Sequence, residues 1–303
     1  MRPAIAITGA GTVTAPDGKR SVDEAALGAL PPAVRARASR AERVTQLVLV
    51  AGGLALEDAG LVALEGPARP RLGVVVGTAF GCALTNAAYA ERLAEGGPLA
   101  ASPRLFAATV SNAAAGELSI AYRLGGPCVT LTAGTAAGLA AVAHAVDVLR
   151  AGRADAVVAG GADAFGDDLG GAMASAGLCA AVDGASLFVL GPLRNGAIGT
   201  VLGCATGFAA ADAVLDDALA EAGVAAADVA YATVCGDEPG RLAGRLPSAS
   251  SFAPILPAPS AARAPLALRA ALATARPADV VVVVDVCATG HVAAVVARAA
   301  GVA

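Results

Sequence analysis

Apolar residues along this chain fall into two alternating kinds of run. Short, β-rich stretches at Ile5–Thr8, Leu72–Gly77, Val129–Thr132 and Ala156–Ala159 are separated by longer Ala/Leu/Val segments of helical period at Val44–Ala59, Phe106–Leu124 and Leu139–Arg150. The alternation continues to the C-terminus. Strands that read as almost continuous apolar runs are covered on both faces, and strands that alternate with helices build layered α/β domains. The pattern therefore predicts an α/β fold with a largely buried sheet.

The same pattern repeats within the chain. Leu54-Ala55-Leu56-Glu57-Asp58-Ala59-Gly60-Leu61, leading into Leu72–Gly77, has a counterpart in Ala218-Leu219-Ala220-Glu221-Ala222-Gly223-Val224, leading into Val229–Gly236. Gly134–Arg150 with Ala154–Ala159 likewise matches Pro259–Thr274 with Ala278–Val283. The two pairs occur in the same order, and ordered self-similarity points to a duplicated unit. We expect two related halves, 1–190 and 191–303, forming one compact unit with a seam near Gly191–Gly196.

Within the first half, the strand Val129–Thr132 turns sharply at Ala133-Gly134 into a helix. Leu139, Val142, Val146 and Leu149 recur at spacings of three and four, which places them on one helical face. This geometry predicts that residue 134 stands at a helix N-terminus, where free N–H groups and the helix dipole favour negative charge. Such a place suits a nucleophile, yet it holds a glycine.

Composition narrows the function classes. A chain of 303 residues with 56% hydrophobic and 15% charged residues can bury a sizeable core and is far from a disordered composition. The net charge of −4 and the 3% aromatic content leave no basic, stacking surface for nucleic acid. A mean hydropathy of +0.68 raises the question of a membrane span. However, the long uncharged stretch Cys128–Val146 is interrupted by Thr130, Thr132, Gly134, Thr135, Gly138 and His144, and reads as core. The apolar run after Met1 is too short for a signal peptide, so a cytoplasmic location is expected. Six cysteines stand at 82, 128, 179, 204, 235 and 287 with no Cys-x-x-Cys, which argues against zinc and against a disulfide framework. Most are expected to be buried free thiols.

The segment Asn112–Ile120, followed by Gly125-Gly126-Pro127-Cys128-Val129-Thr130-Leu131-Thr132-Ala133-Gly134-Thr135-Ala136-Ala137-Gly138-Leu139, resembles the heart of the β-ketoacyl synthase family. The resemblance continues through Leu149–Asp155 into Ala159-Gly160-Gly161-Ala162-Asp163. Ile5–Thr14 is similar to the family's opening strand and glycine turn, Leu72–Gly81 to its second strand, Asp183–Leu190 to its Glu-Gly-Ala strand, and Asp285–Val295 to its C-terminal Gly-rich turn. The resemblance implies a thiolase-like fold of α/β/α/β/α layers with a shortened C-terminal half, which agrees with the duplication.

Departures from the family's pattern carry the functional expectation. Gly134 stands where the resemblance places the nucleophilic cysteine. The family's first histidine falls on Thr233-Val234-Cys235-Gly236-Asp237, and the second precedes the helix matching Pro259–Ala273; neither stretch holds a histidine. A condensing enzyme needs a thiolate to hold the acyl chain and donors to stabilise the enolate. The resemblance thus implies a non-catalytic subunit like a chain-length factor, paired with an active ketosynthase and shaping its acyl tunnel. In that arrangement Cys128, Val129, Thr130, Leu131 and Thr132 lie at the dimer interface, and Leu105, Thr109, Asn112 and Gly116 border the tunnel. An acyl carrier protein is a further expected partner, steered by the basic cluster Arg35, Arg37, Arg40 and Arg43. No metal and no cofactor are implied.

Two other readings compete. Cys235 and His291 could form a displaced nucleophile and base for acyl transfer or hydrolysis, since a thiolate needs a nearby base or cation. Alternatively, the chain could be a homodimeric acyl-binding protein. Gly9-Ala10-Gly11 lacks the third glycine of a dinucleotide fingerprint and reads as a tight turn. His144 lacks partners for catalysis and reads as structural or interfacial, and the hydroxyls of Thr132 and Thr135 are expected to bond backbone where the strand ends and the helix starts.

Overall fold

A computed structural model describes residues 4–14, 22, 24–175, 182–236, 242, 244–246, 249–251 and 260–300. The first half runs β1 (Ile5–Thr14), α1 (Glu24–Gly28), α2 (Pro32–Ala38), α3 (Arg43–Asp58), β2 (Leu72–Gly77), α4 (Ala83–Gly96), α5 (Pro103–Ala107), α6 (Ala113–Ala121), β3 (Cys128–Leu131), α7 (Ala137–Arg150), β4 (Ala156–Asp163), α8 (Gly166–Ser175) and β5 (Gly184–Pro192). The second runs β6 (Gly199–Phe208), α9 (Ala211–Ala222), β7 (Val229–Gly236), β8 (Ser250–Ser251), α10 (Arg263–Thr274), β9 (Val280–Val286) and β10 (His291–Ala299).

The strands join in the order β3-β2-β4-β5-β1-β6-β10-β9-β7-β8. Outward from the middle, β1 is followed by antiparallel β5, antiparallel β4, then parallel β2 and β3. β6 is followed by antiparallel β10, antiparallel β9, then parallel β7 and β8. The halves thus share one strand order and one set of strand directions. They meet where Ile5–Ile7 pairs antiparallel with Gly199–Val201. The helix-strand pairs that repeat in the sequence occupy equivalent places: α3 and β2 match α9 and β7, and α7 and β4 match α10 and β9.

Alternation of side chains along the strands sorts the apolar residues into layers. On β9, Val281 and Val283 face a central core with α7 and α10, while Val280, Val282 and Val284 face an outer core with Val214, Leu215 and Ala218 of α9. On β5, Phe188 and Leu190 join the central core, and Leu187 and Val189 join the outer core beneath α3 and α6. The result is helix, half-sheet, helices, half-sheet, helix. Leu139, Val142, Val146 and Leu149 of α7 are all buried, as their spacing predicts.

Some elements depart from expectation. Gly9 and Gly11 do not form a turn: β1 continues through them to Thr14, with a shift of register against β5 between Ile7 and Gly9. A Cβ on Gly9 would lie 2.4 Å from the Ala55 carbonyl oxygen, and one on Gly11 2.0 Å from that of Ala51. These glycines let α3 lie directly on the strand, a role that periodicity alone cannot separate from a turn. The stretch 106–124 is divided between the end of α5 and α6, because 108–112 forms turns between them. Residue 134 precedes α7 by three positions, and its carbonyl oxygen accepts from the N–H of Ala137, the first helical residue (3.1 Å). The helix matching Pro259–Thr274 begins at Arg263; Pro259 itself, Asp237 and Cys179 lie outside the described residues. Among the described residues, no helix is long and apolar enough to cross a membrane.

Candidate functional site

The turn between β3 and α7 places Gly134 at φ +56°, a left-handed conformation that glycine adopts without a Cβ penalty. The space where its side chain would project is occupied from the other half of the molecule. A Cβ on Gly134 would lie 2.3 Å from Cys287 Sγ and 3.2 Å from Thr289 Oγ1. Position 134 therefore has no room for a side chain while Cys287 keeps its place.

Cys287 belongs to the tight turn joining β9 to β10. Its N–H donates to the carbonyl of His291 (2.8 Å), its carbonyl accepts from the N–H of Gly290 (2.8 Å), and Gly290 takes φ +94°. This closes the turn so that the side chains of Cys287, Thr289 and His291 come together. Thr289 Oγ1 donates to Cys287 Sγ (3.2 Å) and stands 3.1 Å from His291 Nδ1. The His291 ring packs edge-on against Phe208, with centroids 5.3 Å apart. Burial pushes the Cys287 thiol pKa up, but hydrogen bonds from the hydroxyl and N–H groups of Thr289 and Thr135 outweigh it and hold the thiol below the ordinary cysteine value.

Behind the thiol lies a buried ion pair. Arg263 Nη2 donates to Asp285 Oδ1 (2.9 Å), and Thr135 Oγ1 donates to the same oxygen (3.3 Å). Asp285 is fully buried and Arg263 is 8% exposed. Burial works against the charge on Arg263, yet the charge of Asp285 and its hydrogen bond raise the pKa above the usual guanidinium value. The hydroxyl of Thr135 thus bonds a carboxylate of the opposite half, where a backbone partner had been expected. Thr132 is exposed and His144 half-buried.

Cys235 and His291 are not brought together as a pair. Cys235 is completely buried, and burial, reinforced by the charge of Asp285, pushes its thiol far above the ordinary value despite a hydrogen bond with Arg263. Among the described residues, no hydrogen bond joins it to His291. The thiol that His291 reaches, through Thr289, is that of Cys287. Cys287 carries no local signal of its own in the sequence, where it is one of six scattered cysteines. The available signal was Asp285, a lone acid after five consecutive valines, which marks a buried charge in need of a partner.

A second region gathers the residues expected to meet a partner. Among the described residues β3 is an outer strand of the sheet, paired only with β2; Cys128 is exposed, and Val129, Thr130 and Leu131 are half-buried. Nearby, Phe106, Val110 and Ile120 are exposed large apolar groups. Leu105 is buried, Thr109 and Gly116 half-buried, and Asn112 exposed. A cleft of about 370 Å³ joins Asn112 and Gly116 to Arg40, Arg104, Glu117 and Ile120. Of the basic cluster, Arg37 pairs with Glu117 (2.7 Å), Arg43 with Asp183, and Arg35 donates to the carbonyls of Gly28 and Leu30. Arg40 stands exposed at the cleft.

The strand order, the layers and the strand-turn-helix at Gly134 are those of a thiolase-like protein. The family described as β-ketoacyl synthase, N-terminal domain, matches residues 6–210, and the chain belongs to that family. It is 38% identical over 125 residues to 3-oxoacyl-[acyl-carrier-protein] synthase 2 of Vibrio cholerae, an alignment covering 41% of this chain and 30% of that protein. It is 36% identical over 135 residues to the tetracenomycin polyketide synthase ketoacyl synthase alpha subunit of Streptomyces glaucescens, covering 42% and 31%. The alignments thus span under a third of these relatives. Among solved structures, the ishigamide ketosynthase/chain length factor superposes with a TM-score of 0.75 at 24% identity, covering 98% of this chain and 100% of that one. A type II PKS acyl-carrier protein in complex with its ketosynthase gives a TM-score of 0.78 at 18% identity, covering 99% and 100%.

Proposed function

We propose that this chain is a chain-length-factor-like subunit that pairs with an active ketosynthase and helps to shape the tunnel in which that partner's acyl chain grows. The observation that carries the reading is Gly134: a condensing nucleophile is missing from the family's position, and Cys287 fills the space it would need. Asp285 and Arg263 occupy the surroundings with a closed ion pair, leaving no histidine donor on the stretches that match the family's catalytic histidines. Condensation by this chain alone is therefore not expected.

In this reading the open edge of β3, Cys128–Leu131 with Thr132, meets the partner. An outer strand with unpaired backbone groups favours pairing with a second chain, and the exposed Phe106, Val110 and Ile120 suit an interface core. Leu105, Thr109, Asn112 and Gly116 border the partner's tunnel. An acyl carrier protein approaches by the cleft at Arg40, since Arg35, Arg37 and Arg43 are engaged within the chain. The halves 1–190 and 191–303 act as one unit in the cytoplasm, with no cofactor. The superposition on a ketosynthase/chain length factor supports this reading at the level of fold.

Native mass spectrometry of the full chain, alone and co-expressed with an active ketosynthase of the same source, tests it. A one-to-one complex is expected. A stable homodimer that takes up no ketosynthase would overturn it in favour of a homodimeric acyl-binding protein.

A further inference from the structure

We infer that Cys287 is a displaced acyl-accepting thiol, presented to the vacated nucleophile position from the opposite half and served by a Thr289–His291 relay. Three independent features meet at one point. Gly134 has no side chain, and the sulfur of Cys287 lies 2.3 Å from where its Cβ would be. Thr289 Oγ1 lies between that sulfur (3.2 Å) and His291 Nδ1 (3.1 Å), close enough to pass a proton between them. Hydrogen bonding by Thr289 and Thr135 also favours the charged form of the sulfur, as the stabilisation of a thiolate requires. The thiol is buried, but Ala288 and Thr289 beside it are exposed and Gly134 and His291 half-buried, so it lies just beneath the surface.

The chemistry this arrangement supports is thioester exchange. The Thr289 hydroxyl, which donates to Cys287 Sγ at rest, first turns to donate to His291 Nδ1; the Cys287 proton then passes to Thr289 Oγ1 as the hydroxyl proton passes to His291 Nδ1. The thiolate then forms a bond to the carbonyl carbon of an acyl thioester. Collapse of the tetrahedral intermediate breaks the original carbon–sulfur bond, and the departing thiolate takes back the proton from His291. The products are acyl-Cys287 and a free thiol, with no change of oxidation state. Without histidine donors for an enolate, the reaction stops at the acyl-enzyme. The site would hold an acyl group but not extend it, and this holds whether or not a ketosynthase partner binds.

The test uses the full chain and the butyryl thioester of N-acetylcysteamine, with acylated cysteines located by peptide mass mapping. The expected result is a hydroxylamine-sensitive butyryl group on Cys287, in preference to the more exposed Cys128. Thr289→Val and His291→Asn should slow acylation about a hundredfold, the low end of what a general base contributes. His291→Asn should also move the pH midpoint of the rate upward, with Arg263, Asp285 and Cys235 behind the thiol left in place. Mapping in the unaltered chain needs no variant to fold. Acylation of Cys128 alone, no acylation, or acylation of Cys287 at a rate and pH midpoint that ignore both substitutions would overturn the proposal.

Discussion

The two halves use the same strand order but keep a carboxylate inside in different ways. In the first, Asp163 at the end of β4 is wholly buried and is met by neutral donors: the Thr78 hydroxyl (2.7 Å) and the N–H groups of Ala79 (2.9 Å), Phe80 (3.0 Å) and Ala261 (2.7 Å). In the second, Asp285 on β9 is met by a cation, Arg263, and by Thr135. Each acid also reaches across the molecule. Asp163 holds the backbone just ahead of α10, and Asp285 holds the residue just ahead of α7. The central helices are thus fixed reciprocally, each by the half to which it does not belong. The difference teaches that a duplicated backbone leaves its buried polar groups free to diverge, provided each finds partners. It also leaves a buried cation, Arg263, only in the solution the second half adopted.

The largest effect should come from breaking the ion pair. Asp285→Ala leaves the Arg263 charge buried and uncompensated, which is expected to cost about 3–5 kcal/mol in urea unfolding. A loss below about 1 kcal/mol would mean that the pair behaves as an exposed one. Asp163→Asn removes an acceptor that faces the Ala261 N–H and should cost about 1–3 kcal/mol, again by urea unfolding.

Asp163 also carries a pH signature. Burial raises its pKa above the usual carboxylate range, against the lowering by Thr78 and the N–H groups of Ala261, Phe80 and Ala79. The folded state therefore holds the proton more tightly than the unfolded chain. Stability from this group is full below the ordinary carboxylate pKa and is lost as pH rises through the folded value. Asp163→Asn should flatten that slope, and an unchanged slope would contradict the assignment. The smallest effect belongs to Arg71 and Asp155, whose ion pair (2.8 Å) lies in solvent. Arg71→Ala should leave the unfolding midpoint where it is, which thermal denaturation checks.

Much of the site was legible from residues alone. The strand at 129–132, the turn at Gly134 and the buried face of α7 follow from local spacing. So did the absence of a nucleophile at 134. The readings that failed had a common cause. Gly9 and Gly11 read as a turn in the sequence because small residues look alike whether the chain bends or a helix rests on it. Cys235 stands out in the sequence because it precedes a glycine, whereas in the fold burial and the charge of Asp285 push its thiol far above the ordinary value.

The sequence by itself determined the α/β alternation, the duplication and the empty position at 134, because hydrophobic period and residue identity are local properties. Only the tertiary structure decided what fills that position. Cys287 reaches Gly134 because β9 and β10 turn beside the start of α7, and that meeting is set by how two half-sheets close on shared helices. Side-chain alternation within a strand is recorded in its neighbours; which turn of one half comes to rest on the other is recorded in the packing between them.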